Sequence, residues 1–403
     1  MNDVTAPPAN EPGIWNSVFI KAFIVNMLSQ YGNYSMNTLS SPFADSMGAA
    51  ATIVGLVSGL FALTALIFKF VSAPAIDSFD RKKVLIFSLS IMLASFVGYS
   101  LSHSIPMLIV SRLLTGVGLA FVPTCCIAIA SDALPSNKMS TGIGFFALGT
   151  VVTQAIAPTA GLKLVSMVGY NMTFAILGLL MFLTILFAGT MKVAFKPISR
   201  FRISLKSVYA GEVLVPTIIL FLTSGVFCNV NAFLILFGKR QGITSSHIGY
   251  FFTVLAVTMV VSRPLIGRLA DTFGSGKVIV GSMVFFAASF LVISYATTLP
   301  VFLFAGFLSA FGYAGSQPAL MAVCMKSVPT ARRGAASCTS YIGQDLGNLA
   351  GPVLAGAIVQ SMGYVSMWRL MIAPIAAAMV ITILFRYSID HAGQKLPAPN
   401  PAV

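Results

Sequence analysis

IDSFDRKKV, residues 76–84, places five charges in nine positions of a 403-residue chain in which only 8% of residues are charged. ADTFGSGKV, residues 270–278, repeats its outline with most of the charge removed. The two stretches lie 194 residues apart, and sliding the chain on itself by that offset aligns its two halves without a gap from the second apolar run to the sixth. Gly55 falls on Gly249, Asp77 on Asp271, Phe79 on Phe273, Pro158 on Pro352, and Gly169 with Tyr170 on Gly363 with Tyr364. One offset held that far marks an internal duplication.

Composition sets what is duplicated. The chain is 57% hydrophobic, with 24 basic and 10 acidic residues, where soluble domains carry roughly a quarter charged residues. Runs such as IVGLVSGLFALTALIF (53–68) and VIVGSMVFFAASFLVISYA (278–296) approach or exceed the ~18 apolar residues of a bilayer-crossing helix. Twelve such runs are present, the first at 17–39 and the last at 367–386. The reading is an all-α integral membrane protein. It divides into a six-helix bundle over 1–191, a linker over 192–211, a second bundle over 212–386 and a tail over 387–403. Six crossings separate equivalent positions, so the halves share one orientation about an axis along the membrane normal.

Placing the amino terminus in the cytoplasm puts 19 of the 24 basic residues on inner segments and helix ends, Lys69 and Arg263 among them. The positive-inside rule then predicts a multi-pass protein of the cell membrane with both termini cytoplasmic. The basic residues are scattered over short loops and make no patch for nucleic acid. Trp15 and Trp368, both near helix ends, are expected at the membrane interface. Five cysteines without a CxxC pair and three histidines in loops or the tail offer no metal site, cofactor site or nucleophile and base constellation, so no enzyme is expected.

The 76–84 loop, the helix 4 stretch Arg112, Gly116, Gly118 and the helix 11 stretch Gly347, Gly351, Pro352, Gly356 together resemble the Major Facilitator Superfamily along the whole chain. Its loop signature, G-x-x-x-D-R/K-x-G-R/K-R/K, is matched in part by Ala73, Asp77, Arg81 and Lys82. The resemblance implies a conformational latch in which Asp77 caps the start of helix 11 near Gly334, Arg81 meets Asp132, and Asp271 marks the second copy. The helix 11 glycines resemble an antiporter pattern that the family carries in helix 5, in the other half.

Polar residues inside apolar helices point to a cavity. Asn26, Gln30, Asn33 and Asn37 follow i, i+4, i+7, i+11, one stripe at about 100° per residue. With Tyr34, Arg112, Asn231, Tyr313, Gln317 and Tyr341 they are the candidate substrate contacts. Asp345 stands roughly 15 Å into helix 11, and its repeat equivalent is Val151. It is the candidate carrier of a coupling proton, with Arg112 at comparable depth as a neighbour or a fixed ionic partner. The resemblance implies a monomeric, proton-coupled secondary transporter that exports small organic molecules, drug-like compounds or metabolites, by alternating access. Uptake by proton symport and a transport-inactive membrane sensor are the alternatives with the same fold.

Overall fold

The computed structural model describes residues 14–134, 139–193, 209–329 and 332–392. The side chains of Asp77 and Asp271, the surroundings of position 334, most of the expected linker and the tail beyond 392 lie outside what is described. A chain in lipid has to satisfy each backbone N–H and C=O internally, and helices do so within a single segment. Nine helical stretches among the described residues are long and apolar enough to cross a membrane. Two of them, 48 and 50 residues long, are double spans, each reversed at one glycine. Gly169 (φ 78°, ψ 172°) and Gly363 (φ 81°, ψ 173°) occupy the left-handed half of backbone space that other residues resist. The more polar Ser17–Ser46 helix completes twelve crossings.

The crossings are α1 (Ser17–Ser46), α2 (Ala51–Ser78), α3 (Arg81–Ser100), α4 (Ile105–Asp132), α5 (139–168) and α6 (170–189). The second half holds α7 (Leu214–Arg240), α8 (Ser245–Phe273), α9 (Ser275–Ser294), α10 (Leu299–Lys326), α11 (333–362) and α12 (364–384). A short α13 (Arg386–Asp390) follows. On the face opposite the termini the connections are 47–50, 101–104 and Gly169, then 241–244, 295–298 and Gly363. Each repeats at the 194-residue offset. Two bundles of six helices therefore stand side by side.

The halves meet along two pseudo-equivalent seams. In the first, Gly55 of α2 lies so close to α11 that an added methyl would collide with the Pro352 carbonyl. Gly59 abuts Asn348 and Leu349, and Gly356 abuts Ala51 and Thr52. In the second, Thr159 of α5 donates to the Gly249 carbonyl (2.8 Å) and its hydroxyl lies 2.9 Å from that of Thr253 on α8. Small residues let helices approach where lipid gives no hydrophobic drive. These contacts all fall in the helix halves remote from the termini.

The two charged loops differ for a local reason. Asp80 caps α3 itself, accepting from Lys82 N (2.9 Å), and Arg81, 5% exposed, donates to Asp132 at the end of α4. The equivalent of Asp80 is Gly274 (φ 91°), which has no carboxylate. Asp390 of α13 supplies one instead, accepting from Gly276 N (2.7 Å) at the start of α9. The paler copy has thus transferred its cap to the end of the chain. Trp368 also departs from expectation: it is fully buried, edge-on to Phe290 at 5.4 Å, whereas Trp15 is 54% exposed. The one-residue turn at Gly363 brings Trp368 inside the second bundle rather than to the interface.

Candidate functional site

Two cavities lie between the halves. The larger, about 670 Å³, is lined from the termini-side portions of α1, α2, α4, α5, α8 and α11. The smaller, about 320 Å³, lies deeper and adds α7 and α10. Both fall within or near the 300–1,000 Å³ of small-molecule sites. Tyr34, Gln154 and Arg263 line both. They mark the passage from one to the other.

Most of the polar residues singled out in the sequence reach these cavities. Asn26, Gln30 and Tyr341 line the larger, and Asn37, Arg112, Asn231, Tyr313 and Gln317 line the smaller. Asn26 donates to Thr150 (3.2 Å), and Tyr313 stacks on Phe227 with centroids 3.8 Å apart and planes within 5°. Asn33 lines neither cavity and is 7% exposed. It stands about 100° around the helix from Tyr34, at the rim of the lining face. The stripe is real, but the cavity face is rotated toward Tyr34.

Arg112 is fully buried and does not pair with Asp345. Its Nε donates to the Val57 carbonyl (3.0 Å), its Nη2 to the Ser58 carbonyl (2.9 Å) and to Asn37 Oδ1 (2.8 Å), and its guanidinium lies 4.6 Å from the Phe61 ring centroid. These partners belong to its own half. Nη1 is left without a hydrogen bond.

The partner of Asp345 is Lys69 of α2, with Nζ 2.5 Å from Oδ2. The Asp345 side chain is 10% exposed and that of Lys69 34%, and the Lys69 ammonium lies 5.0 Å from the Tyr341 ring centroid. This pair joins α2 to α11, hence one half to the other. Arg263 of α8 is the repeat equivalent of Lys69. Opposite it the acid is missing, because Val151 stands where Asp345 does. Arg263 forms no hydrogen bond or ion pair with any described residue, and its Nε is buried. By charge count alone both cations belong to the inner helix ends. Their shared offset inside two apolar helices was the signal that distinguished them.

A polar passage held between two like-oriented membrane bundles is the construction of a transporter, which moves a small molecule across the bilayer. The chain belongs to the Major Facilitator Superfamily, whose sequence model matches residues 22–228 and 216–402. It is 25% identical to the multi-drug resistance efflux pump PmrA homolog of Lactococcus lactis over 366 residues, covering 86% of this chain and 88% of that protein. It is 23% identical to the staphylopine export protein of Staphylococcus aureus over 400 residues, 95% of this chain and 97% of that one. The fold matches a crystal structure of a mutant nucleoside transporter NupG with TM-score 0.81 at 13% identity, covering 91% of this chain and 99% of the other.

Proposed function

We propose that this transporter exports small organic molecules across the cell membrane in exchange for protons, as a monomer with both termini in the cytoplasm. The observation that carries the reading is the partly buried Lys69–Asp345 pair across the two halves, beside the larger cavity. An ionised Asp345 holds Lys69 and fastens α2 to α11. A proton on Asp345 cancels that attraction and leaves Lys69 a cation that must turn to cavity water, because an unpaired charge at membrane depth is costly. Proton binding therefore acts on the contact between the halves, the quantity that alternating access has to change. Substrate reaches the larger cavity on the termini side while the opposite side stays closed by the α2–α11 and α5–α8 seams. The export names of the Lactococcus and Staphylococcus relatives support the direction.

The test is flux in proteoliposomes under an imposed pH gradient with a compound panel. Antiport predicts that substrate and protons move oppositely, and co-directional movement overturns export. The Asp345→Asn variant is expected to lose pH-driven flux while exchanging substrate between equal pools. Full pH-driven accumulation by that variant removes Asp345 as the proton carrier.

A further inference from the structure

The two α2 and α8 cations are equivalent by descent and opposite in circumstance. Lys69 has Asp345, whereas Arg263 has Val151 at the corresponding place and lines both cavities. The smaller cavity carries a second guanidinium, that of Arg112, with Nη1 unbonded. No acidic residue is among the described linings of either cavity. A charge at membrane depth normally pairs with protein or faces a water-filled path. Here no described residue supplies a counter-ion, and the cation stands where a ligand must pass.

From this we infer that the passage binds an oxyanion: the transported molecules carry a carboxylate or phosphate group that docks on Arg263, with the buried Arg112 guanidinium adding positive charge behind the wall of the smaller cavity. Guanidinium forks match such groups through two parallel N–H donors, which an ammonium does not do. The body of the ligand is planar and apolar. Around the two arginines the smaller cavity presents Tyr34, Phe61, Phe252 and the stacked Phe227–Tyr313 pair. A small aromatic acid suits about 320 Å³. Lipophilic cations, by contrast, meet two positive charges and no carboxylate. The inference rests on these cavities being the transport path, and it narrows the substrate class within the export reading.

Three probes with one ring separate charge from shape: indole-3-acetate, its neutral amide indole-3-acetamide, and cationic tryptamine. Each is titrated against the purified full-length protein by calorimetry in nanodiscs of neutral phosphatidylcholine, so that no anionic headgroup competes. The acid is expected to bind at least tenfold more tightly than the amide or the amine. Arg263→Gln should weaken the acid at least tenfold and leave the amide within twofold, and Arg263→Lys should fall between. Since Arg263 makes no hydrogen bond or ion pair with any described residue, its variants should keep the parent melting temperature. If Arg263→Gln does not fold, the Arg263→Lys titration decides. Preference for tryptamine, no binding of the acid, or acid affinity indifferent to residue 263 overturns the inference. Acid binding without pH-driven flux of any compound defeats the export reading and leaves this one standing. Export of tryptamine with no acid bound does the reverse.

Discussion

Asp345 shows how much depends on which neighbour a single side chain finds. Its depth was readable from its position along the helix, and Arg112 shares that depth, but depth says nothing of azimuth. Arg112 faces α2 within its own half, and Lys69, 276 residues from Asp345 along the chain, comes across the seam. Removing one partner of such a pair strands the other. Lys69→Ala is expected to destabilise the purified protein by about 1–3 kcal/mol, because the pair is only partly buried, and the double change Lys69→Met with Asp345→Leu to recover most of that loss. Unfolding midpoints in micelles decide this, and a double variant no more stable than Lys69→Ala shows that no stranded carboxylate caused the loss. Asn33 teaches the same lesson in milder form. Its spacing placed it on the stripe, and only the neighbouring helices determined where on the stripe the cavity ended.

At the scale of the helix, the seams are unequal although the duplication relates them. Gly55 has a carbonyl of α11 directly in the path of any Cβ, while Gly249 has its nearest neighbours at 3.2 Å. Backbone does not yield, and a contact at 3.2 Å needs only a small shift. Gly55→Ala is therefore expected to open the α2–α11 seam and shift the population away from the form described here. Cys338, which lines the larger cavity, should then react with maleimide severalfold more slowly, whereas Gly249→Ala should change its rate less than twofold. Equal effects of the two substitutions contradict this account of the seams. Helix number was legible from hydropathy, because the bilayer imposes it on each segment separately. The double spans were legible only as gaps between apolar runs, since their turns consume a single residue. The cap that Asp390 lends to α9 was hidden, because it joins positions 114 residues apart.

Across the whole molecule, duplication explains the architecture and its failures locate the chemistry. Where the copies agree they build scaffold, as at Gly55 with Gly249 and Pro158 with Pro352. Where they differ, at Asp345 with Val151, they create a paired cation in one half and, in the other, one without an ionic partner among the described residues. The placement of basic residues predicts the orientation of this asymmetric object in the membrane. A membrane-impermeant maleimide should label Cys338 in inside-out vesicles and spare it in right-side-out ones, since the larger cavity lies on the termini side. The opposite pattern would reverse the topology.

The face away from the termini is built from four four-residue connections and two single glycines. A surface so short of chain has little to be seized. An antibody meets shallow relief without a protruding epitope, a protease finds no strand long enough to thread into its cleft, and an epitope tag placed there has to break a turn to fit. Seen from that side of the membrane, the transporter is close to invisible.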